Sequence, residues 1–407
     1  MGKRVAVVGA GYAGMAAAVT LAERGMHVTV FEAAAVLGGR ARRIVSHGTE
    51  LDNGQHIFVG AYREFLRLLA TVGVPESALL RMPLEIRYAN GFALRAFGLP
   101  PPWGMLAGLL MARGVPLSER AGAVRFMSAM RRADFRLRQD MPFAQLLTSF
   151  RQNGRIGDYL WRALCVSALN TPVEQASANV FLAVLRDTLA RDAKACELLL
   201  PRVDLSSLFP EPAARYVASR GGEIRLREAV QNVEELRSRF SAVIVAVGPH
   251  QLKSVLPGLA REDNYQPIYT CYLQYGERTR LPFAMLGIGR GLVQWAFDLG
   301  ALRSAKGRIA CVISAEGPHQ RMTHDAVADA CHNELEQVLP ALERPRWMRV
   351  IAEKRATIAC TPGREVPREE TLPERVLLAG DYTDPEYPPT IEAAVRSGVR
   401  AALKIAQ

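Results

Sequence analysis

The sequence predicts an α/β protein: one discontinuous, Rossmann-like domain, and an α+β domain built from two insertions. Three observations predict this. Arg4–Val8 (RVAVV), a glycine turn, the Ala/Leu-rich Met15–Arg24 and then His27–Phe31 (HVTVF) follow one another in the order of a βαβ unit. Two more β-branched runs, Ala242–Val247 and Arg375–Ala379, lie far downstream. They share the continuous apolar character of strands buried on both faces. The stretches between are of a different kind, helical over 91–204 and alternating over 265–344.

The elements follow from residue type. Good helix formers fill Met15–Arg24, and Ile391–Ile405 predicts a closing helix. In the first insertion, apolar residues recur at three and four in Leu117–Gln139, Arg155–Leu169 and Ser177–Lys194. In the second, Tyr269–Tyr275, Gly291–Phe297 and Arg308–Ser314 read as strands of a small sheet. The nucleotide-type domain is expected from 1–90, 205–264 and 345–407, and the second domain from 91–204 and 265–344.

Composition narrows the class. The 407 residues are 49% apolar and 22% charged, which excludes wholesale disorder, a fibrous repeat and a polytopic membrane protein. A net charge of +11 admits an anionic partner without selecting one. Aromatics are 7%, and no Lys/Arg-rich run is interleaved with them, so no nucleic-acid partner is expected. Six cysteines with no CxxC and seven dispersed histidines indicate neither a disulfide framework nor a metal site. The opening MGKRVAVVGAG meets glycine too early for a signal h-region and reads as a buried strand, so a cytoplasmic protein is expected.

Gly9-x-Gly11-x-x-Gly14 sits where the first strand meets the first helix, with Ala13 beside the last glycine. The first glycine permits a tight turn, the second lets backbone approach a pyrophosphate, and the third lets helix and strand pack closely. The helix N-terminus then offers free N–H groups to phosphate. Glu32, 18 residues after Gly14, ends the second strand where a carboxylate can take ribose hydroxyls. A second doublet, Gly38-Gly39 followed by Arg40, would cradle the pyrophosphate of a larger dinucleotide from another side. Arg40 can meet phosphate as a bidentate fork, and the combination favours FAD over NAD.

Residues 9–42, GAGYAGMAAAVTLAERGMHVTVFEAAAVLGGRAR, resemble the N-terminal signature of the flavin-containing amine oxidase and phytoene desaturase superfamily. Arg220–Leu226 with Val230 resembles its second nucleotide segment, where the resemblance implies a backbone contact from Val230 to adenine. Leu377–Ala402 resembles its C-terminal flavin motif. There it implies that Gly380-Asp381 hold the phosphate and ribityl chain. It also implies that the helix starting near Thr390, Ile391 and Glu392 points its N-terminus at the flavin, where it can stabilise negative charge on the reduced ring. Leu51–Phe58 (LDNGQHIF), Leu164–Ala178 and Tyr387–Glu392 are similar to the hydroxysqualene dehydroxylase family. Pro389, and Ala393 in place of a glycine, depart from that pattern. This narrower resemblance implies FAD-dependent reduction of the allylic hydroxyl of a C30 isoprenoid, hydroxysqualene to squalene, in hopanoid biosynthesis. It places Gly54 and Gln55 at the isoalloxazine. A carotenoid-type desaturase, an amine oxidase and a flavin-containing isoprenoid carrier remain as other readings.

His56, Asn170 and Tyr382 are the candidate polar groups beside the flavin, to hydrogen-bond or protonate the leaving oxygen. Two have a plainer reading to set against this: a backbone-bonded histidine for His56, a helix cap or turn for Asn170. Asp52 reads as a turn former. A long isoprenoid needs an apolar route, and Ala96–Ala112 offers 17 uncharged residues between Arg95 and Arg113, interrupted by three prolines. With the arginine-rich stretch behind it, the segment 96–139 suits an interfacial surface on anionic lipid at the inner face of the membrane. It suits equally a helical hairpin with solvated arginines. The electron donor is not indicated.

Overall fold

A computed structural model describes residues 3–46, 48–190, 192, 194–259, 263–289 and 291–407. One sheet has five strands in the order Glu223–Leu226, His27–Glu32, Arg4–Val8, Ala242–Val245 and Val376–Leu378, every neighbouring pair parallel. The alternation within Arg4–Val8 shows how it is buried. Val5 and Val7 join one apolar cluster with the helix Tyr12–Glu23, whereas Ala6 and Val8 join Phe31, Val243 and Val245 on the opposite face. Both faces are covered, which is why the strands read as unbroken apolar runs. The helix Ile391–Ala406 closes over Tyr12–Glu23 so tightly that a Cβ on Gly398 would lie 2.1 Å from the Ala13 carbonyl oxygen.

The second sheet is antiparallel, in the order Met285–Gly287, Trp295–Asp298, Arg308–Ser314, Tyr265–Gln274 and Trp347–Ile358. The side chains of Tyr265–Gln274 alternate between two cores. Cys271 and Leu273 face the helix His324–Val338, and Tyr272 faces the helices of the first insertion.

Two expected boundaries shift. Trp347–Ile358 pairs along the length of Tyr265–Gln274, so the boundary at 345 falls inside the antiparallel sheet rather than after it. Leu84, Ile86 and Tyr88 pack into the core of the first insertion, so that core begins before 91. Both segments were assigned by chain proximity, whereas cross-strand pairing decides where they belong. The helix expected over Leu117–Gln139 ends at Arg132. Arg155–Leu169 forms a wide-turned helix Gly157–Arg162 running into Ala163–Leu169. Ser177–Lys194 begins with Ala178–Leu185, and its predicted end passes through positions 191 and 193, which lie outside the described residues.

Candidate functional site

The site grows from the first glycine turn. Gly9 has φ +101°, and a Cβ there would stand 2.7 Å from the Ala246 carbonyl oxygen, so only glycine fits. At Gly14 a Cβ would collide with the Gly9 carbonyl oxygen at 1.9 Å, the close packing of helix on strand that the motif demands. Gly11 differs: its φ is −72°, and the nearest atom to a Cβ would be the Gly39 Cα, 3.9 Å away. The Gly38-Gly39 turn stands directly against it, with the Gly38 N–H donating to the Ala10 carbonyl at 2.9 Å. Two side-chain-free turns from separate stretches thus face each other and leave a backbone cradle.

Around that cradle the other predicted residues gather. Glu32 accepts the Ala10 N–H on one carboxylate oxygen and the Ala34 N–H on the other, each at 2.8 Å, so it stands at the mouth of the turn. The loop carrying Val230 is tied to the end of the same strand through Glu228 N–H to the Glu32 carbonyl, 2.9 Å. Gly380 is fixed by donation to Ser397 Oγ at 2.8 Å, and Thr390 caps the C-terminal helix by accepting the Ala393 N–H at 3.2 Å. Ile391 is its first helical residue.

Gln55 gives the clearest sign that the cradle fits a polar ligand edge. It is 8% exposed, yet neither its Nε2 nor its Oε1 has a hydrogen-bond partner among the described residues. A buried carboxamide left so costs about 1–3 kcal/mol, which a polar ligand edge would offset. Gly54 beside it has φ +116°, a turn that favours glycine.

Several predicted residues are engaged elsewhere. Arg40 does not present a free fork: it donates to Asp381 Oδ1 and to the Ala356 carbonyl, each at 2.6 Å. The fork and Asp381, expected as separate cofactor contacts, neutralise one another across the site. Tyr382 is 2% exposed in the core with Phe31, Val243 and Val245, and its hydroxyl donates to the Val247 carbonyl at 3.2 Å, so it is a packing residue. Asn170, at φ +46°, ends the helix Ala163–Leu169. Its Nδ2 donates to Thr357 Oγ1 (2.9 Å) and to the Gln266 carbonyl (3.2 Å), and its Oδ1 accepts the Ala315 N–H (2.7 Å). It fastens that helix to the antiparallel sheet and has no polar atom to spare for chemistry.

Glu392 is the fourth correction. It is 2% exposed and turns away from the cradle, accepting the N–H groups of Glu64 (3.2 Å) and Phe65 (3.0 Å) at the start of the helix Arg63–Thr71. Burial raises its carboxyl to about 7, although both N–H groups oppose the shift. The group therefore supports the fold fully below an ordinary glutamate pKa, and that support fades as pH rises through about 7. Stability should fall by about 2 kcal/mol between about pH 5.5 and pH 8 on this account. Denaturant titrations of Glu392→Gln at both pH values should show that this slope has gone. An unchanged slope would assign it to other groups.

His56 follows directly on Gln55 in the turn that the resemblance places at the ring. Its Nδ1 is 3.0 Å from the Gly54 carbonyl oxygen, which can only accept, so Nδ1 carries the proton. Burial lowers its pKa below the ordinary 6.5. The imidazole is therefore neutral near pH 7, with Nε2 an acceptor. It can receive a hydrogen bond from a substrate hydroxyl but is poorly suited to protonate one.

Asp52 proves more than a turn former. Fully buried, it pairs with Arg303, accepts the Leu205 N–H at 2.9 Å, and offers its carbonyl to the Tyr272 hydroxyl at 3.0 Å. Burial raises its carboxyl, with Arg303 opposing. Sequence reasoning missed Arg303, which lies 251 positions away with no local motif to mark it.

The family described as flavin containing amine oxidoreductase matches residues 12–406. A hydroxysqualene dehydroxylase of Rhodopseudomonas palustris is 28% identical, covering 99% of this chain and 98% of that one. Another, from Zymomonas mobilis, is 28% identical with 97% of each chain covered. Among solved structures, a double mutant of putrescine oxidase superposes with a TM-score of 0.70 at 16% identity, covering 100% of this chain and 99% of that one.

Proposed function

Because the chain belongs to the flavin containing amine oxidoreductase family, and so is an FAD-dependent oxidoreductase, we propose that it reduces the allylic hydroxyl of a C30 isoprenoid. The substrate and product under this reading are hydroxysqualene and squalene, in hopanoid biosynthesis. One observation carries the choice of reaction: relatives bearing that activity's name align along 97–99% of the chain, DNGQHIF region included. When bound as FADH2, the cofactor would supply both the hydride and the proton that convert the carbon–oxygen bond into a carbon–hydrogen bond and water, leaving oxidised FAD.

The residues divide the work. Backbone of the turns at Gly9, Gly11, Gly14, Gly38 and Gly39, with Ala13 at the helix start, holds the pyrophosphate, and Glu32 takes the ribose. Val230 meets the adenine, and Asp381, oriented by Arg40, faces the ribityl chain. The first turn after Thr390 and Ile391 aims its N–H groups at the ring, and Gln55 with the Gly54 backbone hydrogen-bonds its polar edge. His56 Nε2 receives the substrate hydroxyl and orients the carbon–oxygen bond. Apolar side chains of the first-insertion core line the substrate's side and exclude water.

Anaerobically reduced protein mixed with hydroxysqualene should regain the oxidised flavin band at about 450 nm and yield squalene in a single turnover. Failure of hydroxysqualene to reoxidise the flavin, with a carotene or an amine reducing the oxidised protein instead, would move the assignment to an oxidative family member. Bound isoprenoid with no change in flavin redox state would make the chain a carrier.

A further inference from the structure

We propose that the outward face of the helix Trp103–Leu110, with the loops flanking it, is a docking surface for an anionic lipid bilayer. The helix, WGMLAGLL, has no charged side chain and is apolar on both sides. Gly104, Met105, Gly108 and Leu109 face inward. A Cβ at Gly104 would lie 2.2 Å from the Phe97 carbonyl oxygen, and one at Gly108 2.5 Å from that of Arg95. The helix is therefore pressed backbone to backbone on the preceding segment and cannot roll to hide its other side.

That other side is a stripe at helical spacing: Trp103 is 64% exposed and Leu110 52%, with Leu106 and Ala107 half-buried between them. Phe97, Leu99, Met111 and Leu117 extend it. Six of the eleven large hydrophobic side chains exposed among the described residues thus fall between positions 97 and 117. Scattered exposed hydrophobes need no explanation, whereas a contiguous patch does. Beside the stripe opens an apolar groove of about 530 Å³ between Trp103 and Leu106 on one wall and Met127 and Phe135 on the other, with Arg131 and Arg132 also lining it.

Charge selects the occupant. Residues 95–139 contain eight arginines against two acids, Glu119 and Asp134. Glu119 is turned inward, accepting the Ile156 N–H at 2.9 Å. Arg120 locks the turn between the two helices by donating to the carbonyls of Leu110 (3.3 Å) and Val115 (3.0 Å). Arg113, Arg125, Arg131, Arg132 and Arg138 are exposed around the patch. Apolar anchors ringed by cations match acyl chains beneath anionic headgroups. A second copy of the chain would bring two arginine rings together. Among the described residues no helix is long and apolar enough to cross a membrane, so the contact lies in the interface plane. Nothing in this surface depends on which substrate the flavin site turns over.

The test uses the FAD-loaded full chain in flotation with phosphatidylcholine vesicles, with and without about 30% phosphatidylglycerol. Binding to the anionic vesicles is expected, weakening at least about tenfold in about 0.5 M salt. Trp103→Glu/Leu110→Glu should abolish it and Arg131→Glu/Arg132→Glu should weaken it, both with unchanged flavin absorption. Trp161 and Trp295 are buried and Trp347 is half-buried, so the part of the brominated-lipid quenching of indole emission that is lost in Trp103→Phe should report Trp103. Absence of binding to anionic vesicles, or Trp103→Glu/Leu110→Glu floating like the wild type, would overturn the proposal. So would a concentration-dependent dimer lost in that variant without any vesicle binding, which would assign the face to a second copy.

Discussion

Gly11→Trp should give folded, colourless protein. Gly11 has ordinary backbone angles, and a Cβ there would make only ordinary van der Waals contact with the Gly39 Cα at 3.9 Å, so its backbone accepts a side chain without strain. What it fills is the cradle between the two glycine turns, where backbone must approach the cofactor. FAD affinity should drop at least about 1,000-fold, about 4 kcal/mol, with an unchanged far-ultraviolet circular dichroism spectrum. Gly14→Ala is the informative contrast: its Cβ would meet the Gly9 carbonyl oxygen at 1.9 Å, so soluble protein itself should be lost. Wild-type flavin content in Gly11→Trp would refute this placement of the pyrophosphate.

Arg303→Met should cost about 3–5 kcal/mol in denaturant unfolding, because it leaves the carboxylate of Asp52 buried without its cation. Asp52 is 0% exposed and keeps only the Leu205 N–H on its carboxylate. The double variant Asp52→Asn/Arg303→Met should recover all but about 1–2 kcal/mol, since the stranded charge is gone. The sign with pH is also fixed. Burial already raises Asp52 above its ordinary 3.8, and losing Arg303 raises it further. The single variant's deficit should therefore be largest near neutrality and shrink as acid protonates the carboxyl. A deficit independent of pH, or a double variant no better than the single, would show that the pair matters through packing alone.

These two cases mark what could be read from the chain. The strand, glycine turn, helix, strand and acid of residues 4–32 are local, and each carries its reason in residue type, so they were legible without coordinates. Gln55 was legible only through resemblance, and its unsatisfied amide then supplied a physical ground. Arg40, Asn170, Tyr382 and Glu392 were placed by position in a motif, but their polar atoms are taken by partners tens to hundreds of residues away. Glu392 shows the mechanism of the error. The resemblance put it at a helix start facing the cofactor, whereas its carboxylate caps the start of another helix by accepting the Glu64 and Phe65 N–H groups. Arg303 had no signal at all, because an ion pair between distant segments leaves no pattern in either one.

The close crossing of Gly398 on Ala13 bears on how the molecule is made. The helix Tyr12–Glu23 is buried on nearly every side, yet the element that covers its outer flank is translated almost four hundred residues later. Until then the nascent βαβ unit carries an uncovered alanine-rich face, a state that invites aggregation or chaperone capture. The final strand and helix must also find their places across a long intervening chain, a slow search in which non-local contacts come last. A flavin that binds the closed form and not the open one would draw the population toward the assembled state by mass action. Cells short of riboflavin should therefore accumulate less of this protein, through loss of the closed state rather than through any change in its synthesis.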